Sequence, residues 1–301
     1  MHAVSEHTGP YNVMLIVVMC SVWAGNYFVI KGSIAYVDPI LFALVRSVGA
    51  GVLLMVIGRS ELSSLKRSDV AYLALIGLFQ VSIFYVALNK GLETVSSAVA
   101  ATLVYTQPVL VVALSPLIGE RLNAAKVAGV VAAFIGMGII FLPDLEHSRL
   151  VSGDALELIA SISWVISVLI YKKWKHGLSH YTVPGMQNLL GALFIVPFLP
   201  LEKLYLAPTA GFWIDTAYIV LLGSGLAYVI YFRALTRMQA SVFSSYLFLV
   251  PTLTTLFESI LTRSVPSIYQ LTGTILVSAG IIVVNRGIIR LRDAGSAGSA
   301  G

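Results

Sequence analysis

Charge is what this sequence has least of. Of its 301 residues only 11% are Asp, Glu, Lys or Arg, where an ordinary soluble domain carries about a quarter. Apolar residues make up 58%, and the mean hydropathy is +0.90. Water-soluble packing cannot hide so much apolar surface in a chain this size, so the solvent must be lipid. Cysteine is almost absent: Cys20 stands alone in the first apolar stretch, which excludes an internal disulfide. Histidine is missing from the apolar stretches. His2, His7, His147, His176 and His180 all fall in tails or loops, so neither a buried metal cage nor a cofactor is expected. No His-Glu-x-x-His, acidic pair or Ser/His cluster lies in the hydrophobic segments, which argues against a membrane enzyme. The start of the chain lacks a basic n-region, and residues 12–30 are too long for a signal h-region, so they read as a retained helix.

What is there is a series of long apolar stretches. Uncharged windows cover residues 12–30, 70–89, 94–119, 127–143, 181–201, 216–232, 238–257 and 264–285. Two more, 39–57 and 153–171, carry a charge inside or near one end: Arg46 in the first, Asp154 and Glu157 in the second. Segments of roughly 17–25 residues suit spanning helices, which satisfy their own backbone groups in lipid. The expected fold is therefore an all-α integral membrane protein of ten transmembrane helices. Counting Lys and Arg in alternate loops gives thirteen on the side of both termini against five on the other. That places both termini in the cytoplasm of a multi-pass protein of the cell membrane. The net charge of +5 is spread over helix ends rather than gathered in one patch, so nucleic acid is not an expected partner.

The two halves repeat. Trp23 and Lys31 recur 141 residues later as Trp164 and Lys172. Tyr85, Leu92 and Pro108 recur after 143 as Tyr228, Leu235 and Pro251, and Gly129 and Gly136 recur after 144 as Gly273 and Gly280. Five helices is an odd number, so the second copy enters the membrane upside down. Inverted repeats around a central cavity are the architecture of alternating access. The chain divides into an N-terminal tail (1–11), a first five-helix repeat (12–143), a second, inverted repeat (152–290) and a Gly-Ser-Ala tail (294–301) that looks like a cloning scar.

Several residues are candidates for the site. Arg46, about a third of the way into its helix, needs a partner or water, since a charge at a helix centre costs about 2.5–3.5 kcal/mol on insertion scales. It fits a substrate carboxylate, a gate ion pair or a structural bond to helix-end carbonyls. Trp23, Tyr27, Tyr85, Tyr105, Trp164, Tyr228, Tyr246 and Phe248 are candidates to line an aromatic cavity, with belt or packing roles as the alternative. Trp23 and Trp164, mid-helix and paired by the repeat, are placed to stack on a substrate ring. Pro108 and Pro251 kink the fourth and ninth helices and are candidate hinges. Glu258, the one carboxylate well inside the last half, is a candidate for proton coupling, with a salt bridge to Arg263 as the alternative.

At these residues the sequence resembles the drug/metabolite transporter superfamily, and within it the ten-helix exporters with paired EamA-type domains. The resemblance is carried by Tyr105-Thr106-Gln107-Pro108 and Phe248-Leu249-Val250-Pro251, by Gly119-Glu120-Arg121-Leu122, by the two double-glycine helices, and by Arg46 and Trp23. It covers about residues 12–290. One departure stands out: Arg263-Ser264-Val265-Pro266 replaces the Gly-Glu pair in the second half. The resemblance implies a cavity lined by helices one to four and six to nine, with five and ten peripheral. It also implies export of small metabolites, with the aromatic amino-acid exporters that expel flat aromatic cations looking most similar. Another metabolite class, such as a sugar or nucleotide-linked compound, is the alternative within transporters, and a membrane receptor or scaffold is the alternative outside them. The expected partners are a small-molecule substrate and the bilayer, with the protein a monomer or weak homodimer.

Overall fold

The computed structural model describes residues 10–147, 152–174, 176–201, 203–265 and 267–297, with side chains described except at 143–147, 201 and 286–297. The tail segments 1–9 and 298–301, and Arg149, Lys175 and Pro266, lie outside that range. Among the described residues ten helices are long and apolar enough to cross a membrane. We number them α1 (Pro10–Ser33), α2 (Pro39–Ser64), α3 (Arg67–Gly91), α4 (Ser97–Ile118), α5 (Ala124–Leu142), α6 (Ser152–Lys173), α7 (Thr182–Pro200), α8 (Ala210–Arg237), α9 (Ala240–Leu261) and α10 (Ile268–Asn285). Each of the ten windows expected from hydropathy holds one of them.

Local chemistry sets the helix ends. Asp38 caps α2, its Oδ1 accepting from the Ile40 and Leu41 amides at 2.9 and 3.0 Å, with Pro39 at the first turn. Ser96 caps α4 and Thr209 caps α8 in the same way. Two helix starts differ from the hydropathy windows by four residues or more. α8 begins at Ala210 rather than at 216, because Thr209 starts the helix and the Tyr36 hydroxyl donates to the Asp215 carboxylate that interrupts the apolar run. α10 begins at Ile268 rather than at 264, because Ser264 closes a turn onto Ser259 O at 2.9 Å and Ser267 and Gln270 then cap each other.

The repeat is visible in the helix irregularities. α3 carries a π-helical stretch at Leu78–Ile83 and α8 one at Ile219–Leu226, at equivalent places. α4 is broken between Val104 and Gln107, and α9 between Tyr246 and Leu249. Pro108 and Pro251 lie just past these breaks, in the first turn of the second helical piece, where a missing amide proton costs little. Both prolines are buried. Lys31 donates to the carbonyls of Leu92 and Val95 after α3, and Lys172 to those of Leu235 and Met238 at the end of α8. One lysine per repeat thus satisfies the carbonyls at a buried helix end.

α5 and α10 pack against each other at the periphery. A β-carbon on Gly129 would sit 2.6 Å from Gly280 O, and one on Gly136 2.8 Å from Gly273 O. Two reciprocal glycine contacts seven residues apart bring these backbones together, as small residues do in membrane helix pairs. Gly138, on the same helix, has nothing within 4 Å of its would-be β-carbon. We expect Gly136→Val to lower the thermal unfolding midpoint of the purified protein, by the about 1–3 kcal/mol of an overpacked contact, and Gly138→Val to leave it unchanged. Equal effects of the two would contradict this packing.

Candidate substrate-binding cavity

A small central cavity of about 20 Å³, room for about one water in this conformation, lies between the repeats. Its residues trace a path through the bundle. Trp23, Trp164 and Tyr228 come from the middle of α1, α6 and α8, while Asn26, Tyr27 and Ile30 continue along α1. Phe84 and Leu88 approach the end of α3, and Arg46 is in the first half of α2. Tyr105 and Gln107 sit at the break in α4. By chain direction, the pocket therefore extends from mid-bundle toward the side opposite the termini, the far side. α7 and α9 supply none of these lining residues, in contrast to the expectation that both line the cavity.

The floor is aromatic. Trp23 and Trp164 meet edge-to-face with centroids 5.4 Å apart and planes at 88°. Tyr231 packs on both indoles at 5.5 and 5.2 Å, and Phe84 on Trp164 at 4.7 Å. The two tryptophans thus fill each other's stacking face in this conformation, so no open slot between them awaits a ring. Tyr231, Phe232, Phe243 and Tyr171 continue the packing toward the terminus side. The Trp23 indole N–H donates to Gly223 O at 3.1 Å, a carbonyl inside the π-helical stretch of α8. Such stretches release backbone groups from the helix and are common at functional sites. The Trp164 N–H has no hydrogen-bond partner of good geometry among the described residues.

Arg46 supplies the pocket's cation. It is 2% exposed, its guanidinium lies 3.9 Å over the Tyr85 ring, and Nε donates to Ser224 Oγ at 2.7 Å. The Tyr85 hydroxyl donates to that of Tyr228 at 2.9 Å. Arg46 is therefore held by a ring and a hydroxyl rather than by helix-end carbonyls. Its Nη1 has no hydrogen-bond partner among the described residues. The same holds for Asn26 Oδ1 and Gln107 Oε1, and both residues border the pocket. The unpaired cationic donor and the two unpaired amide acceptors all belong to residues that line this one pocket. Buried polar atoms are usually paired, so a ligand able to pair all three is what this arrangement fits.

Seven of the expected lining residues or their supports are brought together here: Trp23, Tyr27, Arg46, Tyr105, Trp164 and Tyr228 at the pocket, and Tyr85 behind Arg46. Tyr246 and Phe248 are not. The Tyr246 hydroxyl donates to Asn285 Oδ1 on α10 at 2.9 Å, and Phe248 is fully buried in the packing at the α9 break. Glu258 is half-buried toward the far end of α9 and does not line the pocket. Asn26, Gln107 and Phe84 were missed because an amide or a phenylalanine in an apolar run carries no distinguishing pattern. Outside the spans, His176 stacks on Trp174 at 4.1 Å, and burial there holds its imidazole below the usual range.

The terminus side is closed by a clamp between the repeats. The Glu120 carboxylate, after α4, accepts from the Ala240 and Ser241 amides and from Ser241 Oγ at 2.5 Å, capping α9. Lys126 adds bonds to Arg121 O and Gln239 Oε1. On the far side the equivalent turn keeps its shape without the carboxylate. Gly119 and Arg263 both take left-handed backbone, with φ of 78° and 53°, and Ser264 stands where Glu120 stands.

The EamA-like transporter family matches this chain twice, over residues 11–142 and 151–286. The chain belongs to that family. The two matches correspond to the two five-helix repeats, and the protein is a membrane transporter. It is similar to the uncharacterized transporter YvbV of Bacillus subtilis, at 25% identity over 90% of each chain. It is also similar to a probable terminal-alkyne amino-acid exporter of Streptantibioticus cattleyicolor, at 28% identity over 77% of this chain and 79% of that one. A crystal structure shares the fold with a TM-score of 0.75 at 18% identity, covering 91% of this chain and 98% of its own.

Proposed function

We propose that this EamA-family transporter exports amino acids, with aromatic side chains favoured, across the cell membrane by alternating access. The observation that carries this reading is the set of unpaired groups on residues lining the pocket: Arg46 Nη1, Asn26 Oδ1 and Gln107 Oε1. A guanidinium suits the α-carboxylate, and two amide oxygens suit the α-ammonium. The aromatic floor suits an apolar or aromatic side chain, once Trp23 and Trp164 part to admit it. A flat cation would gain from the rings but meet the charge of Arg46. A phosphate-bearing compound would ask for more than the single cation at this pocket. The similarity to a probable amino-acid exporter supports the class of substrate.

Substrate specificity is tested with phenylalanine and phenethylamine, which lacks the carboxylate. In everted vesicles, Arg46→Gln should weaken phenylalanine transport by ten- to a hundred-fold, from the about 1.5–3 kcal/mol of a charged hydrogen bond. It should not weaken phenethylamine transport. Equal losses for both would assign Arg46 to the architecture alone.

Both termini are assigned to the cytoplasm, on the thirteen-to-five bias of Lys and Arg. Ser64 is exposed at the terminus-side end of α2. In a Cys20→Ala background, a cysteine in place of Ser64 should resist an impermeant thiol reagent added to intact cells. Labelling from outside would reverse the orientation and, with it, the direction of transport.

A further inference from the structure

Glu157 is a carboxylate with nothing to hold it. It lies on α6 within two turns of the far-side end, is 0% exposed, and has no hydrogen-bond partner for either oxygen among the described residues. A buried, unpaired carboxylate is costly as an anion and far cheaper as the neutral acid. The packing around it is specific. Gly91, at the end of α3, faces it, and a β-carbon there would run into the carboxylate.

The repeat provides an internal control. The offset of 141 that relates Trp23 to Trp164 and Lys31 to Lys172 also relates Ile16 to Glu157. Ile16 is just as buried, at 1% exposure, and Ala234 stands where the other half has Gly91. Both border one crevice in the second setting. An isoleucine therefore serves the helix packing at this place, and a carboxyl is not needed to hold the bundle together. The first setting keeps a carboxyl and clears room for it with a glycine.

Among the described residues the charged and titratable surroundings are few. On α6 itself, Asp154 is half-buried one turn farther out, close enough for its charge to act on Glu157. From α1, Tyr27 feels the charge of Glu157 and also lines the cavity. Lys31, farther along α1, donates to the Leu92 and Val95 carbonyls. At the end of α3, Lys90 and Glu93 pair at 2.5 Å. The facing part of α4, Ser97–Val104, has no titratable side chain. Asp154 thus lies between Glu157 and the far-side end of α6, and Tyr27, which lines the cavity, is within electrostatic range of Glu157.

We propose that Glu157 is the proton-binding site that couples transport to the proton gradient. The inference rests on the transport reading above. With the cavity toward the far side, a proton arriving past Asp154 forms an O–H bond on one carboxyl oxygen. When the repeats rock and the opposite side opens, that bond breaks and the proton leaves on the terminus side. One proton moves inward per cycle and no other bond changes. Glu157 takes the role that the sequence pattern gave to Glu258, whose repeat counterpart is Leu114 and which lies away from the pocket.

The test uses the full-length protein in liposomes and reads proton binding separately from transport. An infrared difference spectrum between acidic and alkaline pH should show a protonated-carboxyl band that disappears in Glu157→Gln and persists in Glu258→Gln. An imposed pH gradient should drive phenylalanine accumulation in the wild type and at least tenfold less in Glu157→Gln, while exchange of labelled for unlabelled phenylalanine continues. Glu157→Ile, the residue the first repeat uses, should fold and behave as the glutamine variant does. A band unchanged in Glu157→Gln, undiminished pH-driven accumulation, or accumulation driven by sodium instead would overturn the proposal. If the wild type carries no phenylalanine, the substrate assignment falls, and the infrared titration still decides the proton site.

Discussion

Inside a bilayer no water is at hand to satisfy a buried polar group, and that constraint organises this protein. It makes the spans helical, because a helix bonds its own backbone. It explains why each repeat uses a lysine, Lys31 or Lys172, to satisfy the carbonyls where α3 and α8 end inside the protein. It also explains why Arg46 sits over the Tyr85 ring with Ser224 against its Nε. Among the described residues fourteen buried side-chain atoms lack a hydrogen-bond partner. Those at the pocket belong to Arg46, Asn26, Gln107 and Trp164, and two others are the carboxylate oxygens of Glu157.

The inverted repeat makes departures from symmetry informative. The backbone irregularities are shared: π-helical stretches in α3 and α8, breaks in α4 and α9, and left-handed turns at Gly119 and Arg263. The chemistry placed on them is not. Glu120 caps α9 on the terminus side, while Ser264 at the equivalent far-side turn has no carboxylate to offer. Gln107 brings an amide to the α4 break, while Val250 brings none to the α9 break. Glu157 is matched by Ile16. A shared scaffold thus carries unequal contacts at its two ends, Glu120 to α9 on the terminus side and Tyr36 to Asp215 on the far side.

Much of the fold was legible in the sequence because the bilayer demands long apolar runs and the repeat offset is nearly constant. The ten spans follow from those two facts. The windows erred at α8 and α10, where a capping threonine and a serine turn, rather than hydropathy, set the helix start. The site was legible where residues were both rare and paired: Trp23 with Trp164, Tyr85 with Tyr228, and the lone Arg46. It was not legible at Tyr246 and Phe248, because an aromatic near a helix break faces the core or a neighbouring helix as readily as a cavity. Glu157 was visible as a charge near a helix start but passed for a helix-end residue. Only the packing against Gly91 shows it to be buried.

Alternating access requires the two ends of the cavity to open in opposition, so the Glu120 contacts on the terminus side and the Tyr36–Asp215 and Tyr205–Ile34 contacts on the far side must break in turn. The most direct test is electron–electron resonance distance measurement on spin-label pairs in a Cys20→Ala background. One pair joins Leu122 and Arg237 on the terminus side, and the other joins Glu93 and Ser264 on the far side, all four exposed. On adding phenylalanine and alkaline pH, the terminus-side distances should lengthen while the far-side distances shorten. Distances that stay fixed at both ends, or that change in the same direction, would contradict a rocking exchange between the repeats.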